Sequence, residues 1–201
     1  MCSSDLFPSH DISNINIQGG GLGRNGIEIM QVNNMSLFNL TATNIYTAIR
    51  GPIVNDSVFD TLNINGGQIS SINFAGGTSS RNNLSNIFIS NISANPGILM
   101  GGVGNYVSNF YIFNSSTSGW VIGFQSATSA INNTFDTFTV ENTPIAIGIT
   151  NLGSGNLIKN GYIKNVTTGF FVNSTASGNK TITLENITLT DSTETQSSNL
   201  S

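Results

Sequence analysis

A six-residue pattern of apolar, any, polar or Thr, apolar, any, apolar recurs along the chain. It runs from Ile12 to Ile17, Met35 to Leu40, Phe59 to Ile64, Leu84 to Ile89, Val107 to Ile112, Phe135 to Val140, Ile158 to Ile163 and Leu184 to Leu189, at intervals of 23 to 28 residues. A second short apolar run follows in most repeats, as in Gly26-Ile27-Glu28-Ile29, Gly97-Ile98-Leu99-Met100, Gly119-Trp120-Val121-Ile122 and Pro144-Ile145-Ala146-Ile147. β-Branched and aromatic residues dominate both runs, the alternation has period two, and no segment sustains a helical period with caps. Each repeat therefore predicts one coil carrying at least two strands, which excludes a helical solenoid. Stacked coils predict inward columns: Ile15, Phe38, Leu62, Ile87, Phe110, Phe138 and Ile187 in one, with a gap at Gly161, and Ile17, Leu40, Ile64, Ile89, Ile112, Val140, Ile163 and Leu189 in its neighbour.

Just after the first strand, Asn91, Asn114, Asn142 and Asn165 fall at the same place in successive coils. Asparagine tolerates the left-handed backbone and bonds its own turn, so stacked turns of this kind predict an asparagine ladder. On these features the chain resembles the pectate-lyase-like superfamily of right-handed parallel β-helices over residues 11–191. The resemblance implies an all-β solenoid of about eight coils. Residues 1–10 read as a non-repeat segment and 192–201 as a polar, disordered tail, and with no cap at either terminus the chain reads as a piece of something longer. The superfamily's fold carries lyases, hydrolases, adhesins and viral spikes alike, so it does not specify a chemistry.

Composition narrows the partners. Only 8% of the 201 residues are charged and the net charge is -4, with no Lys/Arg cluster to neutralise phosphates, which argues against nucleic acid. No apolar run is long enough for a membrane span. Cys2 and His10 are each the sole residue of their type, so cysteine clusters and histidine triads are unavailable, and no metal or cofactor is expected. Gly21-Leu22-Gly23-Arg24-Asn25-Gly26 has the glycine spacing of a dinucleotide fingerprint, but a strand follows where that chemistry needs a helix N-terminus. Twelve Asn-any-Ser/Thr sequons occur among 30 asparagines, including Asn39, Asn91, Asn132, Asn165 and Asn186, and so Asn-rich a chain generates many by chance.

Candidate chemistry is sparse. The superfamily's polygalacturonases carry Asn-Thr-Asp, Asp-Asp, Gly-His-Gly and Arg-Ile-Lys, and none is present. Lyases of this fold join an Arg or Lys base to acid-bound calcium. The weak catalytic candidates are thus Glu28 and Arg50, which align on neighbouring coils and read as a surface ion pair. Asp60, Asp136 and Glu185 share a repeat position but lie on coils three, six and eight, too far apart to cluster. Phe88, Tyr111, Phe113 and Tyr162 point outward from the first strand set, and Leu99, Val121, Ala146 and Phe171 are expected to do so from the second. Exposed apolar lines of this kind point to a polysaccharide or an identical chain as partner. The sequence favours a non-catalytic, glycan-binding or assembly segment of a secreted, cell-surface or virion (tail-spike-like) protein. The rival is a fragment of a polysaccharide lyase or glycoside hydrolase.

Overall fold

A computed structural model describes residues 10–20, 23, 25–75, 78–93, 96–116, 120–124, 130–150, 153–173 and 181–192. Cys2, with the whole segment before the first strand, and the tail beyond Ser192 lie outside the described residues. The strands are β1 (His10–Gln18), β2 (Asn25–Glu28), β3 (Val32–Asn33), β4 (Met35–Arg50), β5 (Val54–Asn55), β6 (Val58–Phe74), β7 (Asn83–Ser90), β8 (Ile98–Met100), β9 (Tyr106–Phe113), β10 (Trp120–Phe124), β11 (Thr134–Thr150), β12 (Asn156–Asn173) and β13 (Ile182–Thr190). His10, expected to precede the first coil, instead opens β1 and is exposed.

The architecture is the expected parallel β-helix. On its first side β1, β4, β6, β7, β9, β11, β12 and β13 pair in that order, every pairing parallel. The later parts of β4, β6, β11 and β12 turn the corner and join β2, β8 and β10 on the second side. A third side runs from the β3–β5 pair through bridges at Ser80, Val103 and Ile131 to the Gly153 N–H, which donates to the Ala130 carbonyl. Eight strands thus stack on the first side, and about six coils are closed on all three.

The three-then-two spacing of the sequence pattern has a local cause. Asn14, Asn39, Thr61, Asn86, Asn109, Thr137, Asn160 and Asn186, the polar third position of each repeat, all have φ between 50° and 57°. One left-handed residue inside the strand resets its alternation, so that the next inward side chain comes three residues on. Asparagine adopts this backbone at least cost among residues with a side chain, which is why it dominates the column. Two further left-handed columns mark other bends. One runs through Asn44, Asn91, Asn114, Asn142, Asn165 and Asp191, the other through Asn34, Asp56, Arg81 and Asn132.

The left-handed residue also corrects the register of coil two. Ile12 pairs with Leu37, not Met35, and Ile15 with Leu40, leaving Phe38 in register with Ser13 and Asp60 and 38% exposed. Leu40 and Ala42 hold the places assigned to Phe38 and Leu40. Met35 was a tempting start because its side chain is apolar, but only a start at Leu37 puts Asn39 at the bend.

Inside, Leu37, Phe59, Leu84, Val107, Phe135 and Ile158 form a fully buried column. In the next, the Phe110 and Phe138 rings stack with centroids 5.0 Å apart and planes at 7°. The gap at Gly161 is filled by Phe138, whose ring lies where a Cβ would be. Of the residues expected to point outward, Leu99 and Phe171 share the register of the exposed Glu28 and Arg50, with Leu99 5% exposed and Phe171 half-buried, whereas Val121 and Ala146 fall in another column and are both 0% exposed. Period two fails there because the chain is turning a corner: Val121 and Ile122 are both buried, as are Ala146 and Ile147. A Cβ on Gly97, in the same column as Val121, would point at Ile92 and Ile112 of the core.

A second, interior ladder was not anticipated. Asn82, Asn105, Asn133 and Asn156, each 1% exposed, stand at the start of four successive first-side strands, the first three just before β7, β9 and β11 and Asn156 as the first residue of β12. Each Oδ1 accepts the backbone N–H of the preceding coil, from Ser57, Asn82, Asn105 and Asn133, at 2.8–3.1 Å. Each Nδ2 donates to a backbone carbonyl, those of Val54, Ser79, Gly102 and Ala130. Polar groups taken from water are thereby paired, which turns a costly burial into an inter-coil clamp.

Candidate functional site

The outward face of the first side gathers most of the exposed chemistry. After the bend, register places Asn63, Phe88, Tyr111, Thr139 and Tyr162 in one column. Beside it run Asn65, Ser90, Phe113, Glu141 and Lys164. Strand alternation aims these residues away from a core that needs none of them.

Three of the four proposed face residues meet. Phe88 lies 5.6 Å from Tyr111 and 5.8 Å from Phe113, and Tyr111 stacks on Phe113 at 5.6 Å with planes 11° apart. Phe88 is 38% exposed and is the open member, while Tyr111 and Phe113 are half-buried. The Tyr111 hydroxyl donates to Glu141. Burial, that hydrogen bond and the carboxylate's charge push the phenol pKa up to about 12. Tyr162 stands apart, beyond Thr139, and its hydroxyl accepts a hydrogen bond from Thr190 at 3.1 Å.

Before the bend lies a polar knot that sequence reasoning missed. Asp136 accepts hydrogen bonds from Tyr106 at 2.5 Å, Asn160 at 2.8 Å and Thr137 at 3.0 Å, and Lys159 lies 3.3 Å away. Burial alone would raise its pKa, but these donors together outweigh burial and hold it at about 2. The hydrogen bond to Asp136, burial and the carboxylate charge raise the pKa of the Tyr106 phenol in turn. At the equivalent position three coils earlier, a hydrogen bond from Ser85, with others from Asn86 and Thr61, holds Asp60 below the usual carboxylate range despite burial. Glu185, at the same register position, is exposed on β13. The three acids stay apart.

Glu28 and Arg50 are neighbours across β2 and β4 and form an ion pair, with Asn25 donating to the second Glu28 oxygen at 3.1 Å. Both side chains are well exposed, and the next residue in that column is Asn73, so no second acid joins them. The left-handed ladder also has exposed rungs: Asn142 donates to Asn114 at 3.4 Å, Asn165 to Asn142 at 2.7 Å, and Asn91 to Asn65 at 2.9 Å. Among the described residues no three His, Cys, Asp or Glu side chains gather where an ion could be held, and no helix is long and apolar enough to cross a membrane. Of the glycine-rich hexad, Gly21, Leu22 and Arg24 lie outside the described residues, and its last two residues, Asn25 and Gly26, open β2.

No family model matches the chain, and no curated protein does. Among solved structures it is similar to the catalytic domain of a GH87 alpha-1,3-glucanase in complex with nigerose, at 17% identity and a TM-score of 0.46. The match covers 89% of this chain and 43% of that one, so the chain spans less than half that domain's length.

Proposed function

We propose that this chain is a glycan-binding segment of a secreted, cell-surface or virion protein, and that it binds on the outward face of its first side. The observation that carries this is the Phe88–Tyr111–Phe113 cluster on a regular sheet face, with Asn63 and Asn65 on one flank and Thr139 and Glu141 on the other. Ring faces suit the apolar faces of pyranose sugars, and amide, hydroxyl and carboxylate groups at the margin suit their hydroxyls. With coils about 4.8 Å apart, Phe88 to Tyr162 extends roughly 14 Å, the length of a short oligosaccharide. Hydrolysis by paired carboxylates has less support: Asp60 and Asp136 are both saturated with donors and held ionised, the opposite of a general acid.

Glycan-array binding of the wild-type chain, repeated with Phe88→Ala, tests the reading. A stacking ring contributes about 1 kcal/mol, so Phe88→Ala should weaken binding about fivefold while leaving the fold intact, because that ring is the open one. A wild type that binds no glycan, or a variant that binds equally well, overturns the proposal. Release of sugars from the bound polymer would replace it with the lyase or hydrolase reading.

A further inference from the structure

Three acids among the described residues are drawn back from water: Asp60, Asp136 and Glu141. In Asp60 both oxygens are taken, Oδ1 by Ser85 and Asn86 and Oδ2 by Thr61. In Asp136, Asn160 and Thr137 donate to one oxygen, while Tyr106 donates to the other and Lys159 pairs with it. Glu141 differs. Its Oε1 accepts the Tyr111 hydroxyl, and no donor among the described residues reaches its Oε2. Its place differs too, since it stands in register with Phe113 and so at the edge of the ring pair that Tyr111 makes with Phe113. Lys164 follows in the same column, exposed, and joins no acid among the described residues.

We propose that Glu141 is the specificity-determining acceptor of the binding face and selects neutral sugars over uronates; the inference rests on the glycan-binding reading above. A pyranose stacked on the rings sends its equatorial hydroxyls sideways, in the plane of the sugar, and the carboxylate lies at that margin. Oε2 can accept two such hydroxyls, and bonds to a carboxylate are roughly twice as strong as those between neutral groups. The Tyr111 bond fixes the carboxylate in advance, so little ordering is left to the binding step. A sugar carboxylate in the same place would set two like charges together in a half-buried setting and leave Oε2 without a donor. Lys164 does not reverse the preference, because an exposed ammonium one strand further on is solvated and screened.

Calorimetric titration of the full chain with glucose, mannose and galactose tetrasaccharides, each beside the tetramer of its matching uronate, reads the selection. Wild type should bind its best neutral ligand at least about tenfold more tightly than the uronate counterpart. Glu141→Gln keeps the shape and removes the charge, so neutral binding should fall about tenfold while the uronate gains, and the preference should close. Tyr111→Phe removes the hydroxyl but keeps the ring, and the preference should survive it. A preference lost equally there would make Glu141 a support for Tyr111 and overturn the proposal. Lys164→Ala should alter neutral binding less than about twofold, and a larger loss counts against the assignment. A wild type that prefers uronates, or a Glu141→Gln variant that binds neutral ligands as tightly as wild type, also overturns it. Should Glu141→Gln lower the unfolding midpoint, monodeoxy forms of the best neutral ligand replace it. One missing hydroxyl should then cost about tenfold on wild type, and indifference to every deletion refutes the acceptor. A wild type that binds no tetrasaccharide removes the face and the selection together, whereas neutral binding that depends on Phe88 but not on Glu141 sinks the selection alone.

Discussion

Replacing Gly161 by alanine should expose how tightly the interior columns are fitted. Gly161 occupies the place that Leu62, Ile87, Phe110, Phe138 and Ile187 fill in other coils. A Cβ built there falls 2.7 Å from Cε1 and Cε2 of Phe138 and nearer still to Cζ. The Phe138 ring is 4% exposed and stacked on Phe110 at 5.0 Å, so it can retreat only by disturbing a second ring. Overpacking of this kind costs about 1–3 kcal/mol, or about 2–12 °C in melting temperature at roughly 2–4 °C per kcal/mol in a chain this size. Phe138→Leu removes the three clashing carbons. It costs ~1–2 kcal/mol itself, below the ~3–5 kcal/mol of truncation to alanine, and it frees the space. In that background Gly161→Ala should turn neutral or stabilising. Its φ lies outside the left-handed region, so the methyl adds packing and lowers unfolded-state entropy by about 0.4–1 kcal/mol. The double-mutant cycle, measured by urea denaturation, should therefore show a coupling of about 2–3 kcal/mol. Equal losses from Gly161→Ala in both backgrounds, or no loss in the wild type, would refute the packing argument.

Asp136 makes stability depend on pH. Its folded pKa lies at about 2, below the unfolded ~3.9, so its contribution, at most about 2.5 kcal/mol, is present above pH ~4 and lost as pH falls towards 2. Unfolding midpoints of wild type and Asp136→Asn should accordingly converge between pH 5 and pH 2, and a constant difference would remove Asp136 from the account. The buried ladder should outweigh the exposed one. Asn105→Ala strands the Asn82 N–H and should cost about 2–4 kcal/mol, whereas Asn142→Gly keeps the left-handed bend and should stay within about 0.5 kcal/mol. Similar losses in the two would contradict the assignment of the structural clamp to the interior.

The parallel β-helix, its strand order and most of the inward columns were legible because they depend on within-strand alternation and on a repeat long enough to count. Counting first-side strands, however, gave eight coils where about six are closed on all three sides. What escaped depends on geometry that alternation does not encode. The register slip at Met35 arose because two overlapping stretches fit the apolar pattern, and only the backbone at Asn39 separates them. Val121 and Ala146 were turned the wrong way because period two stops at a corner. The interior ladder did leave a signal, since Asn82, Asn105, Asn133 and Asn156 each stand two residues before a repeat start. In a chain with 30 asparagines that offset shows only after alignment. The Tyr106–Asp136 bond spans 30 residues and runs diagonally between coils, so no in-register reading finds it.

The same geometry argues that the aromatic cluster is not a by-product of folding. Inward positions must be apolar, and the bends must accept left-handed backbone. The outward columns carry neither demand. The fold itself shows this, because Asn63 and Thr139 occupy the register of Phe88 and Tyr111 on adjoining coils, and Asn65 and Ser90 that of Phe113. Small polar residues therefore serve there without loss of the coil. The three rings gain from packing on one another, at about 0.5–1.5 kcal/mol per pair, yet they leave Phe88 38% open to water, where a polar residue would be solvated at no cost. A ring surface placed where the fold asks for nothing is what supports the binding face proposed above. Its apolar contact contributes stability only when something covers it.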